Sequence, residues 1–109
     1  MEFYRLENDI LKVVVKIPGF RSHKIGSRNL DMAVAGDFDG DGRVELLVPN
    51  QTLDEIGGMR RTLDRAEVAW TLPIDGKVST NIAAVTTGSG GLMLGAGRED
   101  GVLLVWPAP

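Results

Sequence analysis

Two short apolar runs flank a glycine-rich acidic loop in the segment Ala33-Val34-Ala35-Gly36-Asp37-Phe38-Asp39-Gly40-Asp41-Gly42-Arg43-Val44-Glu45-Leu46-Leu47-Val48. Four carboxylates, those of Asp37, Asp39, Asp41 and Glu45, fall within nine residues of it. Like charges this close repel one another unless a positive charge lies among them. Hard oxygen ligands at this density suit Ca²⁺ better than a softer metal. The segment therefore predicts a β-hairpin whose loop binds a cation.

A plain Asp-Gly turn with solvated carboxylates is the alternative, because Asp and Gly are common turn residues. We favour the metal site, since a turn needs one Asp and not four acids at alternating positions. An EF-hand is excluded, because the twelfth position counted from Asp37 is Val48, where an EF-hand has Glu. Mg²⁺ is the weaker choice of ion, since it seldom uses a site built only from protein ligands.

Strand-like runs recur along the chain, and each is short and bounded by Gly, Pro, Asn or Asp. They cover residues 10–17, 32–35, 44–48, 67–72, 82–86, 92–95 and 102–106. Residues 51–65 are compatible with a strand, a long loop or one helical turn. The pattern predicts an all-β fold of antiparallel strands.

The strand pattern also repeats within the chain. The hairpin of residues 32–35 and 44–48 has a counterpart in residues 82–85 and 92–94, at an offset of about 50 residues. The predicted strands at residues 10–17, 67–72 and 102–106 share an ending at a proline, namely Pro18, Pro73 and Pro107. A period of roughly 40–50 residues with four short strands per unit is typical of a β-propeller blade.

The acidic segment resembles the FG-GAP repeat of integrin-type β-propellers and related VCBS-like repeats, whose loop reads D-x-D-G-D-G-x-x-(D/E) between two apolar strands. Residues 92–106 look like a WD-repeat-type blade, with a Gly-rich strand, an Asp-Gly turn and a strand ending in Trp106, although Pro107 replaces the usual Asp. The resemblance implies a partial propeller of about two antiparallel four-stranded blades within one region, 1–109. Residues 1–20 would end a preceding blade, residues 30–76 form the calcium-loop blade, and residues 80–109 form the WD-like blade.

The FG-GAP resemblance also implies a ligand set for the calcium ion. The ligands would be the side chains of Asp37, Asp39, Asp41 and Glu45 and the backbone carbonyl of Arg43. Gly40 and Gly42 would take backbone angles that a side chain penalises. The corresponding loop of the second hairpin, residues 86–91, has no carboxylate. We therefore expect one metal-bearing blade and one metal-free blade.

The amino-acid composition argues against nucleic-acid binding, a membrane span and thiol chemistry. The 109 residues carry a net charge of -3 and are 43% hydrophobic, which fits one small globular domain. The scattered basic residues form no stripe for nucleic acid, and no apolar run approaches the roughly 20 residues of a membrane span. Without cysteine there is neither a disulfide nor a thiol nucleophile.

No residue set points to catalysis. His23 is the only histidine, and we interpret it as a loop residue and not as a general base. The serines at 22, 27, 79 and 89 therefore lack an evident base. Trp70 and Trp106 predict packing between blades, with a sugar-stacking platform as the alternative. Arg60, Arg61 and Arg65 fit either a solvated face or a partner surface.

The sequence thus predicts a calcium-binding module without enzymatic activity, and the resemblance implies adhesion or recognition of a protein or carbohydrate. An extracellular or periplasmic location follows from the abundant Ca²⁺ that a weak loop site needs. The expected partners are calcium and such a ligand, together with the remaining blades of a parent propeller or further copies of the chain. The alternatives are a scaffold fragment of a secreted propeller enzyme, such as a polysaccharide lyase, and short chains that self-assemble into a ring.

Overall fold

The computed structural model describes residues 1–21 and 32–107, which form nine β-strands and no helix. The strands are β1 (Glu2–Glu7), β2 (Ile10–Lys16), β3 (Val34–Gly36), β4 (Glu45–Pro49), β5 (Glu55–Arg61), β6 (Ala66–Pro73), β7 (Ala83–Thr86), β8 (Leu92–Gly97) and β9 (Leu103–Trp106). Every paired strand is antiparallel to its neighbour, so the predicted all-β class is confirmed. The described residues include no helix that could span a bilayer.

The strands form three sheets with strictly sequential order. They are the N-terminal hairpin β1–β2, the central sheet β3–β4–β5–β6 and the C-terminal sheet β7–β8–β9. Within residues 1–21 and 32–107 these sheets close neither a barrel nor a propeller. The central sheet falls inside the predicted blade of residues 30–76 and has the four strands expected of a blade. The division of the chain into blades of a propeller stays a prediction.

Strand β5 occupies the stretch that the sequence left open, and two glycines explain the ambiguity. Gly57 and Gly58 contribute no side chain to the alternation that identifies a strand. In the fold, a Cβ atom at Gly57 would lie 2.5 Å from the Phe20 ring, and one at Gly58 would lie 2.5 Å from the Trp70 ring. The glycines therefore allow two aromatic rings to lie flat on the sheet.

The main core lies between the central and C-terminal sheets. Leu47 and Ile56 of the central sheet are fully buried there, together with Leu94 and Ala96 of the C-terminal sheet. The cluster is completed by residues outside the strands, namely Met32, Phe38, Leu53, Ile74, Val78 and Ile82. Leu47 of β4 and Phe38 of the acidic loop belong to this cluster, and Val34 of β3 packs against it, so the core anchors the loop at both ends.

The C-terminal sheet repeats the construction of the central sheet. In each, the preceding segment forms one isolated bridge to the residue after the second strand, Phe20 to Asn50 in one case and Val78 to Arg98 in the other. Two backbone hydrogen bonds flank each bridge in the same arrangement: Arg21 N–Pro49 O at 3.0 Å and Gln51 N–Gly19 O at 2.8 Å, against Ser79 N–Gly97 O at 2.9 Å and Glu99 N–Lys77 O at 2.8 Å. Strands β7, β8 and β9 therefore correspond to β3, β4 and β5.

The N-terminal hairpin corresponds to the other half of a unit. Its register shifts between Phe3 and Tyr4, just as the β5–β6 register shifts between Gly58 and Met59. Both antiparallel pairs have one such register shift, so β1 and β2 resemble β5 and β6. The hairpin packs on the far side of the central sheet, where the Arg61 guanidinium lies 5.5 Å from the centre of the Phe3 ring. The chain is thus a linear stack of related units.

Candidate metal centre

Asp37 organises the loop between β3 and β4 through backbone hydrogen bonds. Its Oδ1 accepts the amides of Gly40 at 2.9 Å and Asp41 at 3.1 Å, and its Oδ2 accepts the amide of Gly42 at 2.8 Å. Gly40 and Gly42 have φ angles of 77° and 84°, a region that L side chains rarely adopt. The prediction that these two glycines take such angles is confirmed. The loop is therefore wrapped tightly around one carboxylate.

The other three carboxylates share one arrangement, in which one oxygen accepts a backbone amide close by. The pairs are Asp39 Oδ1 with Asp41 N at 3.1 Å, Asp41 Oδ1 with Arg43 N at 2.8 Å, and Glu45 Oε2 with Phe38 N at 2.9 Å. Each bond fixes the rotation of a carboxylate. The second oxygen of each group is therefore also held in a defined direction.

Those second oxygens converge on one nitrogen atom, Nη2 of Arg60. Nη2 lies 2.8 Å from Asp41 Oδ2 and 3.3 Å from Glu45 Oε1, and it donates to Asp39 Oδ2 as well. Arg60 reaches this point from β5, where it lies directly opposite Glu45 of β4. One cationic nitrogen thus marks the place at which three carboxylates meet.

The structure brings all four predicted acidic ligands together. One carboxylate oxygen from each of Asp37, Asp39, Asp41 and Glu45 lies within 4.8 Å of the others. Glu45 is fully buried, whereas the side chains of Asp39 and Asp41 are 31% and 29% exposed. The cluster therefore has a buried base and an open rim, and it could hold a metal ion.

The charges in the cluster do not balance. Four carboxylates are paired with two guanidinium groups, Arg60 at the centre and Arg43, whose Nε lies 3.3 Å from Asp41 Oδ2 at the rim. The Arg43 side chain is 71% exposed, so solvent screens its contribution. Within residues 1–21 and 32–107, the four carboxylates and these two guanidinium groups leave two negative charges unbalanced, which equals in magnitude the charge of one divalent cation.

The pKa shifts of Asp41 and Arg60 both favour the charged form of the group. The Arg43 amide lowers the pKa of Asp41, and the positive charges of Arg60 and Arg43 act in the same direction. Removal from water opposes the charge of Arg60, but the carboxylates of Asp41 and Asp39 outweigh this effect and raise its pKa. Neither group changes its charge near neutral pH.

Two arginines, Arg43 and Arg60, also belong to the cluster. Arg43 contributes its amide and its guanidinium to Asp41, while the expected role of its carbonyl as a ligand stays a prediction. Arg60 was not among the predicted site residues, because its sequence context also fits a solvated face. The signal that could have identified it is the register of β4 on β5, which places Arg60 opposite Glu45.

Trp70 and Trp106 both pack against the main core, as the predicted packing role requires. They line an apolar cleft of about 300 Å³, and Asp39 of the acidic loop lies at its edge. The indole Nε1 of Trp70 is buried there and has no hydrogen-bond partner within residues 1–21 and 32–107. The alternative role of these rings, in stacking on sugars, stays a prediction.

The loop between β7 and β8 provides the internal contrast. It is closed by the hydrogen bonds Thr87 N–Gly91 O at 2.8 Å and Gly90 N–Thr87 O at 3.0 Å. The Thr87 and Ser89 hydroxyls lie 3.1 Å apart. This loop turns the chain with neutral groups alone.

Some residues singled out in the sequence lie outside the described structure. His23, Ser22 and Ser27 fall in residues 22–31, which are outside the described residues. Comparison of the chain with protein-family models, curated proteins and solved structures gives no significant match. The resemblance to FG-GAP and WD repeats therefore stays a prediction, and the acidic cluster is the feature on which a function can be argued.

Proposed function

We propose that the acidic cluster is a Ca²⁺ site and that the chain is a calcium-stabilised β-repeat module serving as a binding platform. The observation that carries the proposal is the convergence of one oxygen each from Asp39, Asp41 and Glu45 on a single cationic nitrogen. These oxygens are held by a rigid hairpin, so a cation meets a site that is already formed. Such preorganisation lowers the cost of binding.

The donor set favours calcium among the common metals. All the candidate ligands are carboxylate or carbonyl oxygens, and the chain has no cysteine to attract zinc or copper. Ca²⁺ accepts six to eight oxygen ligands in a flexible arrangement, whereas Mg²⁺ demands a near-octahedral shell with several waters. Asp37, Asp39, Asp41 and Glu45 supply side-chain oxygens, with the Arg43 carbonyl as the further proposed ligand.

Arg60 has a defined part in this proposal. Its guanidinium balances part of the negative charge of the cluster, and a bound calcium ion would compete with it for the oxygens of Asp39, Asp41 and Glu45. A monovalent guanidinium cannot balance the four acids, whereas a divalent ion and Arg43 nearly do. Calcium would then replace one cation of the cluster by another of higher charge.

The proposed biological role is recognition of a protein or carbohydrate outside the cytoplasm, where calcium is abundant enough for a weak site. The acidic loop adjoins the apolar Trp70–Trp106 cleft through Asp39, so calcium binding would stiffen one edge of that cleft. The platform role rests on this proximity and on the family resemblance.

Calcium titration by isothermal calorimetry tests the proposal. We expect heat consistent with one ion per chain, and we expect the melting temperature to rise by roughly 10 °C at calcium concentrations about 100 times the Kd. Magnesium at the same concentration serves as the comparison ion and should give a smaller shift. Equal melting in calcium and in chelator, with no heat of binding, would refute the metal assignment.

A further inference from the structure

The two ends of the stack expose apolar sheet faces. At one end, Val85 of β7 and Leu103 and Val105 of β9 lie on the face of the C-terminal sheet that points away from the core, with exposures of 53%, 70% and 51%. The same face is completed by Ala83, Met93 and Gly95, and together these residues form a shallow apolar groove. An antiparallel sheet with one solvated face normally has polar residues there.

The exposed face of the C-terminal sheet can be compared with the corresponding face of the central sheet. Leu103 pairs with Gly97 in the C-terminal sheet as Ile56 pairs with Pro49 in the central sheet, so Leu103 and Ile56 hold corresponding positions. Ile56 is fully buried, because the C-terminal sheet covers it. The exposed face of the C-terminal sheet is thus the counterpart of a face that another sheet covers within the same chain.

The opposite end of the stack offers a matching surface. Tyr4 pairs with Val13, and Leu6 with Leu11, on one face of the N-terminal hairpin. These four side chains are between 40% and 67% exposed. The other face of the hairpin, which includes Phe3 and the buried Val15, packs toward the central sheet.

The chain already makes this kind of contact twice. The hairpin contacts one side of the central sheet through Phe3 and Arg61, and the C-terminal sheet packs on the other side. In each internal contact, one face of a unit packs against the unit before it in the chain, and we call this the leading face. The opposite face of a unit, which packs against the unit after it, is the trailing face. The free trailing face, on the C-terminal sheet, and the free leading face, on the hairpin, are therefore related to surfaces that bind each other inside the molecule.

We propose that a second copy of this chain docks head to tail, with its N-terminal hairpin on the exposed face of the C-terminal sheet. A second copy is the occupant that the structure favours, because one chain carries both halves of the contact. Because the two surfaces in this contact are different, each added copy leaves one of them free for the next copy. The copies form a closed ring if the rotation between neighbours brings the last copy back to the first, and an open filament otherwise.

Sedimentation velocity of the full chain over a range of concentrations tests this proposal. We expect a concentration-dependent mass above that of the monomer. Leu103→Asp and Leu6→Asp, which alter opposite ends, should each shift the distribution to smaller species. Leu63→Asp is the matched control, because Leu63 is 82% exposed in the β5–β6 turn and lies on neither face. A wild-type chain that stays monomeric throughout, or a control that dissociates as much as the variants, would overturn the proposal.

Disulfide trapping distinguishes head-to-tail docking from a symmetric contact, since the chain has no native cysteine. Leu6→Cys and Val105→Cys are made as separate single variants and are mixed under oxidising conditions. We expect disulfide-linked dimers containing one chain of each variant. Rapid cross-linking of either variant with itself would contradict the head-to-tail arrangement. Both positions are exposed, so circular dichroism should show an unchanged fold.

Discussion

The β3–β4 and β7–β8 hairpins occupy corresponding positions in the two sheets, but their loops contain different residues. The β7–β8 loop turns with Thr, Ser and Gly, while the β3–β4 loop contains three aspartates and leads into the buried Glu45. By strand register, Met93 holds the place of Glu45, and Pro107 follows at the place of Arg60. The fold therefore needs neither the acids nor the arginine at this position, and the acidic loop is an addition that calls for its own physical reason.

The largest expected effect comes from removing Asp39 and Asp41, the two acids at the exposed rim of the cluster. The double variant Asp39→Ala, Asp41→Ala should abolish calcium binding, because it removes two of the oxygens that meet at the centre of the cluster. Calorimetry measures the loss of heat. The matched control is Thr87→Ala, Ser89→Ala in the other hairpin, which should bind calcium as the wild type does. Binding that survives in the double aspartate variant would place the ion elsewhere.

The second test replaces Glu45 by methionine, the residue at the corresponding position, Met93, of the β7–β8 hairpin. Glu45→Met leaves the buried Phe38 amide without its carboxylate acceptor and takes one partner from Arg60. We expect the calcium-free protein to lose about 1–3 kcal/mol of unfolding free energy, the usual cost of an unsatisfied buried group. Urea denaturation in chelator measures this loss. Glu99→Met, at an exposed site in the β8–β9 turn, should change stability little, and equal losses in both variants would contradict a specific role for Glu45.

The third and smallest effect concerns the competing cation. Arg60→Gln removes the positive charge from the centre of the cluster, so calcium should bind about 5-fold more tightly, equivalent to roughly 1 kcal/mol for a partly exposed ion pair. Arg61→Gln is the control, since the Arg61 guanidinium lies over Phe3 and outside the cluster. Weaker calcium binding in Arg60→Gln would mean that Arg60 supports the metal site and does not compete for it.

The strand pattern could be read from the sequence wherever side chains alternate or β-branched residues cluster, as in β2 and β4. Strand β5 could not be identified in this way, because Gly57 and Gly58 make room for the rings of Phe20 and Trp70, which are distant in sequence. Strand β1 was not recognised as a strand either. Its charged residues Glu2, Arg5 and Glu7 obscure the alternation of apolar and polar side chains. The strand is stabilised by its pairing with β2 and not by its own strand propensity.

The acidic ligands were predictable because they are close together in the chain. Arg60 was not, because it lies on a different strand and reaches the cluster only through the register of β4 on β5. Spacing along a loop is visible in a sequence, whereas cross-strand proximity requires the strand pairing to be known.

A crystal structure of the chain grown in saturating calcium, with anomalous scattering to locate the ion, tests the central claim most directly. The account predicts calcium within 2.3–2.6 Å of oxygens of Asp39, Asp41 and Glu45, with the Arg60 guanidinium displaced from the centre of the cluster. An Arg60 guanidinium that still joins these carboxylates at saturating calcium, with no anomalous peak in the loop, would contradict it.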